Sequence, residues 1–155
     1  MINIIVAMDN NQLIGKEDSV NGLPWQNKED LQHFKNTTIH QTILMGYNTY
    51  KAIGRPLPNR KTIIVCFEEF DDERVEVRTS LEDVLNEYKG SDETLYICGG
   101  ASIYKQSLPY VDQLFISRIP GEHDGDAYFP DFMQYGFKLK EVIPHETFDL
   151  QIYSR

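Results

Sequence analysis

The stretch Thr94–Ser107, TLYICGGASIYKQS, decides the fold class. Its first part, Thr94–Cys98, is a short apolar run that predicts a buried strand. The pair Gly99-Gly100 follows at once and leads into Ala101–Ser107, which is predicted to be a helix that Pro109 ends. A strand that passes through a glycine turn into a helix is the building unit of a parallel α/β sheet.

The same alternation runs through the rest of the chain. An N-cap serine, Ser80, opens a predicted helix over Ser80–Lys89, and Gly90 ends it. A second N-cap residue, Asn27, predicts a helix that carries Asp30 in its first turn. Further apolar or amphipathic runs predict strands at Ile2–Met8, Thr42–Met45, Lys61–Cys66 and Gln113–Ile119, and a helix at Tyr47–Ile53.

The C-terminal part follows a different pattern. Phe137–Ile143 and Thr147–Tyr153 are strand-like runs separated only by Pro144-His145-Glu146. Because so short a connection joins only antiparallel strands, these runs predict a hairpin. We therefore expect one α/β domain over residues 1–155, with a central mixed, mostly parallel sheet, flanking helices and a C-terminal antiparallel hairpin.

Composition and charge exclude several classes of protein. The chain has 155 residues, 41% of them hydrophobic, so it can bury a core and is not expected to be disordered. Its net charge of −9, from 24 acidic and 15 basic residues, repels phosphate backbones and disfavours a nucleic-acid partner. The apolar run at the N-terminus is short and no basic region precedes it, so neither a signal peptide nor a membrane span is expected.

The two cysteines, Cys66 and Cys98, each end an apolar run. Neither has a metal-ligating neighbour at a suitable spacing, so no metal site is predicted. We expect both to be reduced, buried thiols of a cytoplasmic protein.

The segment Leu23–Lys35, LPWQNKEDLQHFK, places a carboxylate among apolar side chains. Asp30 and Phe34 are four residues apart and share a helix face, with Leu31 beside them. In one interpretation, Asp30 only complements the positive end of the helix dipole. In the other, it lies in an apolar pocket, where it can hold a flat amidine-like heterocycle through two parallel hydrogen bonds and where burial raises its pKa.

Two glycine-containing turns are candidates for phosphate binding. Gly99-Gly100 could let backbone N–H groups approach a phosphate, but it lacks the GxGxxG pattern and fits a plain strand-to-helix turn equally well. Gly46 also follows a strand, and Thr49 could offer a hydroxyl nearby, although an ordinary helix start explains both residues.

Three connections are candidates for a functional role. The loop at 53–61, IGRPLPNRK, is stiffened by two prolines and presents Arg60, which could pair with a ligand carboxylate or lie in solvent. The segment Asp9–Asn27 is long and polar, as functional loops often are. Gly125-Asp126 by itself predicts an ordinary turn.

Taken in order, these motifs resemble those of the dihydrofolate reductase family from end to end. The motifs are IIVAMD, LIG, LPW, the Asp30-Leu31 pair with Phe34 and Lys35, ILMG, IGRPLPNRK, CGGASIY, LFISRI and HDGDAYFP. The resemblance implies a dihydrofolate reductase-like fold and an oxidoreductase that reduces dihydrofolate to tetrahydrofolate with NADPH, for one-carbon metabolism. It also implies that antifolate inhibitors bind.

The resemblance further implies roles for individual residues. Asp30 would hydrogen-bond the pterin, supported by Ser117 through a bound water, and Trp25 would help to hold a second water near the pterin carbonyl oxygen. Arg60 would bind the α-carboxylate of the glutamate tail. The other implied substrate contacts are Ile5, Ala7, Leu31, Phe34, Lys35, Ile53 and Leu57. The implied cofactor contacts are Ala7, Ile14, Gly15, Leu23, Gly46, Tyr47, Asn48, Thr49, Cys66, Phe67, Cys98, Gly99, Gly100, Ala101, Ser102, Ile103, Tyr104 and Asp126.

Two backbone features are also implied by the resemblance. Gly99 and Gly100 would be joined by a cis peptide bond, which is rare outside proline. The segment 15–23 would form a mobile lid, and Gly125-Asp126 would brace it. This lid is longer than in many bacterial members, and the final hairpin is short, which predicts simplified lid switching.

Several positions depart from the family pattern at the cofactor's 2′-phosphate. Tyr47 and Phe67 stand where the family commonly has residues that hold this phosphate, and Glu68 adds a negative charge. Ser102 replaces an arginine that faces the pyrophosphate in some members. We therefore hypothesise that discrimination for NADPH over NADH is weaker than usual, so that NADH can also serve, with Arg78 as a candidate compensating cation.

Two alternatives stay open from sequence alone. One is a reductase of another pterin or of a flavin-precursor heterocycle, against which Asp30, Phe34 and Arg60 argue. The other is a non-catalytic pterin-binding module, which the departures at Tyr47, Phe67 and Ser102 would permit. We expect a monomer, because no strand shows an obvious unpaired hydrophobic edge.

Overall fold

The computed structural model describes residues 1–17, 19–68 and 70–155, with the side chain of Val20 left aside. Its strands are β1 (Ile2–Met8), β2 (Leu13–Gly15), β3 (Thr42–Gly46), β4 (Lys61–Val65), β5 (Glu76–Arg78), β6 (Leu95–Ile97), β7 (Gln113–Arg118), β8 (Ala127–Tyr128), β9 (Lys138–Pro144) and β10 (Asp149–Ser154). Its α-helices are α1 (Lys28–Thr38), α2 (Tyr47–Ile53), α3 (Leu81–Tyr88) and α4 (Ala101–Ser107).

Eight of the strands form one mixed sheet in the order β5-β4-β3-β6-β1-β7-β10-β9. The strands from β5 to β7 run parallel, whereas β10 is antiparallel to both of its neighbours, β7 and β9. This confirms the predicted fold class and the C-terminal hairpin. The turn is longer than predicted, because a hydrogen bond from His145 N to Phe148 O (2.9 Å) closes it and β10 begins at Asp149 instead of Thr147.

Burial explains why these segments take these structures. The central strand β1 is buried along nearly its whole length, as expected for a parallel strand with both faces covered. In α3 the buried residues recur with helical spacing, at Leu81, Val84, Leu85 and Tyr88. The Ser80 side chain caps this helix by accepting from Asp83 N (3.2 Å), as its N-cap position predicted.

The sequence patterns missed three short strands. β2 and β8 pair with each other as a separate ribbon, and β5 joins the edge of the main sheet. Each has three residues or fewer, which is too short for a detectable periodicity. Pro109 was expected to end the helix before it; α4 does end at Ser107, but Pro109 lies within a following 3-10 turn, Leu108–Tyr110.

The premise that no strand has an unpaired hydrophobic edge is wrong for β9. This strand lies at the end of the sheet, and Leu139, Val142 and Ile143 are exposed on it. It also carries two lysines and a glutamate, and its register with β10 shifts between Ile152 and Tyr153. Charged side chains and an irregular register both oppose pairing of an edge strand with another chain.

No helix in the described ranges is long and apolar enough to cross a membrane.

Candidate active site

Asp30 lies in the first turn of α1, where the Asn27 side chain caps the helix by accepting a hydrogen bond from Asp30 N (2.9 Å). The carboxylate is buried, with 7% of its surface exposed. Burial raises the pKa of Asp30, and a hydrogen bond from the Ser117 hydroxyl and the charge of His145 offset only part of that rise. The predicted burial of Asp30 is confirmed.

The tip of the C-terminal hairpin fixes this first turn. Glu29 accepts hydrogen bonds from the hydroxyl (2.6 Å) and the backbone N–H (2.8 Å) of Thr147. Asn27 makes further contacts with Thr147 through its side chain. Because the same turn carries Asp30, the hairpin holds the buried carboxylate in place.

Arg60 is held against α1 by contacts with two of its residues. Its Nε donates to Pro58 O (3.0 Å), its Nη1 donates to Thr38 Oγ1 (3.2 Å), and its guanidinium carbon lies 5.9 Å from the centre of the Phe34 ring. Partial burial lowers the pKa of Arg60, but a guanidinium stays protonated at any physiological pH. This loop therefore presents a fixed cation next to an aromatic wall.

The other predicted substrate contacts lie on several elements. Ala7 pairs in register with Ser117 across β1 and β7, and Ile5 O accepts from the Tyr104 hydroxyl (3.0 Å). Ile53 and Leu57 pack against the core cluster under α2. Two predicted contacts, Leu31 (42% exposed) and Lys35, are exposed on α1.

Trp25 carries an unpaired buried donor. The indole is 9% exposed and packs with Ile119, Phe148 and Leu150. Within the described part of the chain, its Nε1 has no hydrogen-bond partner. A buried N–H normally binds a partner, so this donor requires a water or a ligand atom.

The two glycine turns meet at the carboxyl ends of β3 and β6. Gly46 N donates to Gly99 O (2.9 Å), and the peptide bond between Gly99 and Gly100 is cis, as the resemblance implied. A Cβ atom on either Gly99 or Gly100 would lie 3.3 Å from Thr49 Oγ1. The glycines therefore allow the close packing of α2 against this turn, which we call the glycine cradle.

The predicted lid and its brace are in contact. Asp126 N donates to Gly15 O (3.1 Å), and Glu17 N lies 3.3 Å from both carboxylate oxygens of Asp126. A Cβ atom on Gly125 would lie 2.5 Å from Gly15 O, so only glycine fits there. Asp18, within the predicted lid, lies outside the described residues.

Beside the lid, a cavity of about 330 Å³ is lined by Lys16, Ser19, Leu23, Pro24, Trp25 and Gln26.

The region around Tyr47 is aromatic, and its arginines are already paired. The Tyr47 ring lies 4.8 Å from the Phe70 ring, and Phe67 is 72% exposed. Arg74 forms an ion pair with Asp72 (2.8 Å), which also accepts from the Tyr50 hydroxyl (2.8 Å). Arg74 and Tyr50 together hold the pKa of Asp72 well below its usual range.

Arg78, the candidate compensating cation, is also engaged. Its guanidinium lies 3.4 Å from Glu76 and forms a closer ion pair with Glu87 on α3. Arg78 therefore has two carboxylate partners within the protein, and the structure gives no support for a free cation at this position.

Sequence reasoning missed the Phe70–Asp72–Arg74 group and a second group formed by Asp9 and His123. The first lies about 20 residues from the helix it contacts, and the second joins two loops more than 100 residues apart. No local motif marks either group, since both depend on how the sheet orders its strands.

Both cysteines are free thiols, and Cys66 is buried as predicted, whereas Cys98 is partly buried. Burial of the Cys98 thiol raises its pKa, so it stays protonated. Among the described residues, no three His, Cys, Asp or Glu side chains are grouped to hold a metal ion.

Comparisons with known proteins agree with this geometry. The family model described as dihydrofolate reductase matches residues 1–153. The dihydrofolate reductase of Bacillus subtilis is 43% identical over 140 residues, which cover 90% of this chain and 81% of the relative. The type 3 dihydrofolate reductase of Salmonella typhimurium is 36% identical, covering 99% of this chain and 93% of the relative.

A solved structure gives the same result. Dihydrofolate reductase from Enterococcus faecalis, complexed with NADP(H) and RAB-propyl, superimposes with a TM-score of 0.91 and 31% identity. The match covers 100% of this chain and 96% of that one.

Proposed function

This chain belongs to the dihydrofolate reductase family, and we propose that it reduces dihydrofolate to tetrahydrofolate with NADPH, with Asp30 as the carboxylate that binds the pterin. The observation that carries the residue assignment is the burial of Asp30, which raises its pKa. A buried carboxylate destabilises the fold unless its oxygens are fully hydrogen-bonded, and the Ser117 hydroxyl supplies only one such bond. A flat heterocycle with adjacent N–H groups would offset that cost.

The residues of the chain orient the substrate and control its protonation. Asp30 accepts hydrogen bonds from the pterin and, through the negative charge of its carboxylate, favours the protonated, reactive ring. Trp25 Nε1, which has no partner among the described residues, would hold a water near the pterin carbonyl oxygen. A water admitted beneath the lid is the proposed direct proton donor.

Arg60 binds the other end of the substrate. Its two hydrogen bonds to Pro58 O and Thr38 Oγ1 fix the plane of the guanidinium before the substrate arrives. A fixed guanidinium can bind a carboxylate through two parallel hydrogen bonds at a small entropic cost. Phe34, Ile53 and Leu57 would form the apolar walls between Asp30 and Arg60.

The residues at the glycine cradle fit a dinucleotide. Gly99, Gly100 and Thr49 would hold its pyrophosphate, and Ala7, Ile14 and Leu23 would lie at the nicotinamide. When bound, NADPH supplies the hydride that reduces the pteridine ring. The fit is poorer at the 2′-phosphate, where Tyr47 and Phe67 are aromatic and Arg74 and Arg78 are paired with carboxylates.

We accordingly propose that NADPH is used with weaker discrimination against NADH than is usual. The remaining implied contacts, which are Gly15, Gly46, Asn48, Cys66, Cys98, Ala101, Ser102, Ile103, Tyr104 and Asp126, stay part of this proposal. We also propose that residues 1–155 form a single domain and that the protein is a monomer. Two free thiols are consistent with a cytoplasmic location, which is likewise part of the proposal.

The test of this function is direct. The protein is mixed with NADPH and dihydrofolate, and the loss of nicotinamide absorbance is followed with and without methotrexate. We expect turnover that methotrexate abolishes. Tight methotrexate binding without turnover would instead identify a non-catalytic pterin-binding module, and reduction of a different heterocycle alone would identify a reductase of another substrate.

A further inference from the structure

His123 lies beside Trp25 and is fixed by a buried carboxylate. The His123 and Trp25 ring centres are 5.2 Å apart, with the two planes at 64° in an edge-on arrangement. The backbone N–H of His123 donates to Asp9 Oδ2 (2.8 Å), and its Nδ1 lies 3.3 Å from the same oxygen. Two contacts to one oxygen hold both the backbone and the ring of His123 in place.

Asp9 is suited to this task because it is itself immobile. It is fully buried and accepts hydrogen bonds from Asn11 N (2.9 Å) and Leu13 N (3.1 Å). Burial alone would raise the pKa of Asp9, but the hydrogen bonds from Asn11, Leu13 and His123 together bring it below its ordinary value. The group is therefore a carboxylate at neutral pH, and its Oδ2 can accept a hydrogen bond from Nδ1–H of the His123 ring.

The contact links His123 to the proposed pterin site through Trp25. The buried side chains that cluster with the indole are apolar, namely Ile119, Phe148 and Leu150. The contact with the imidazole differs from these because an edge-to-face pair of rings has a preferred geometry. The orientation of the indole sets the direction of Trp25 Nε1, which has no hydrogen-bond partner among the described residues.

We propose that His123 is a positioning residue for Trp25, with Asp9 fixing the imidazole and the imidazole fixing the indole whose Nε1 holds a water beside the substrate. This inference rests on the proposed function of Trp25. It assigns to the loop before Gly125 a task in the proposed substrate pocket, next to the Gly125-Asp126 turn that contacts the predicted lid.

Two substitutions separate the ring edge from the rest of the side chain. His123→Asn keeps a polar amide that can donate to Asp9 but removes the ring, whereas His123→Phe keeps a ring and the backbone hydrogen bond to Asp9 but loses the Nδ1 contact. We expect His123→Asn to slow single-turnover hydride transfer about fivefold, with the KM for dihydrofolate changed less than about twofold, and His123→Phe to restore most of the rate. Glu122→Gln, an exposed neighbour in the same loop, is the matched control and should behave as the native protein does.

Fluorescence provides a readout that needs no catalysis, because Trp25 is the only tryptophan of the chain. In the ligand-free protein, His123→Asn should shift the emission to longer wavelength and increase quenching by acrylamide, and His123→Phe should resemble the native protein. Urea unfolding of each variant corrects for loss of folded protein. If His123→Asn does not fold, His123→Gln replaces it with the same expectation.

Native rates and native fluorescence in His123→Asn would overturn the proposal. Equal losses of hydride-transfer rate in His123→Asn and His123→Phe would also overturn it. A native protein that fails to reduce dihydrofolate would refute the proposed function instead, while the fluorescence comparison would still test the His123–Trp25 contact.

Discussion

The proposed ligand site has a substrate end at Asp30 and Arg60 and a cofactor end at Tyr47, and the two ends handle charge in opposite ways. At the substrate end, Asp30 is buried with a raised pKa, and Arg60 is held by Pro58 and Thr38 without a carboxylate partner among the described residues. At the Tyr47 end, the nearby arginines already have carboxylate partners. The substrate end therefore leaves Asp30 and Arg60 available to a ligand, whereas the arginines at the Tyr47 end are paired with carboxylates of the protein.

This difference explains how a chain with a net charge of −9 can bind two anionic ligands. In the proposed site, Arg60 is the cation that would bind the substrate carboxylate, while the chain as a whole carries more acidic than basic residues. Ion pairs at an exposed surface contribute little to stability, but they occupy a guanidinium that would otherwise bind phosphate. The protein should therefore discriminate strongly for a substrate that carries the glutamate carboxylate and weakly for NADPH over NADH.

The largest expected effect is at Asp30. Asp30→Asn keeps the shape of the side chain but removes the charge that favours the protonated pterin, so hydride transfer at pH 7 should fall about 100- to 1,000-fold. The rate should recover partly at low pH, where the substrate protonates without help. Single-turnover rates across the pH range measure this, and native-like turnover of the variant at pH 7 would refute the role.

The same substitution should have the opposite effect on stability. Burial raises the pKa of Asp30 above its ordinary 3.8, so the folded state holds a proton that the unfolded state has released. The native protein should therefore lose stability as pH rises from 3.8 through the raised pKa, whereas Asp30→Asn should not. Urea unfolding should show the variant to be more stable at pH 7 and equal to the native protein below about pH 3.8. An advantage that persists in acid would point to packing instead of charge.

Arg60 should show the next largest effect, and on binding more than on chemistry. Arg60→Leu removes a charge-assisted pair with the substrate carboxylate, so the KM for dihydrofolate should rise about 10- to 100-fold with a smaller change in kcat. A pterin substrate that lacks the glutamate tail is the control, and its KM should not change. Equal losses with both substrates would mean that Arg60 supports the fold of the loop.

The substrate end was more predictable than the Tyr47 end, for physical reasons. Asp30 and Phe34 share a helix face, so a spacing of four residues and one N-cap were enough to place them together. The pairing of Asp72 with Arg74 and Tyr50 depends on a loop folding back over α2, which no periodic pattern records. Likewise, the β2–β8 ribbon that braces the lid joins segments more than 100 residues apart.

A substitution at Tyr47 tests whether an added cation at this end of the proposed site strengthens the preference for NADPH. Tyr47→Arg would place a cation where the family commonly has one, and the ratio of kcat/KM for NADPH over NADH should rise about tenfold. Tyr47→Phe keeps the contact with Phe70 and should leave the ratio unchanged. In the native protein, a ratio of about 1,000 or more would contradict the loose discrimination that we propose.

The smallest effect is expected at Arg78. Substituting this residue tests whether an arginine that is paired with carboxylates can still bind the 2′-phosphate of NADPH. Because Glu76 and Glu87 already hold the guanidinium, Arg78→Gln should change the NADPH-to-NADH ratio of kcat/KM less than about twofold. Glu87→Gln removes the closer carboxylate and should raise the ratio if the freed guanidinium can reach the phosphate. A drop of about fivefold or more in Arg78→Gln would mean that Arg78 leaves both glutamates when NADPH binds, and the contrast between the two ends would then hold only for the unliganded protein.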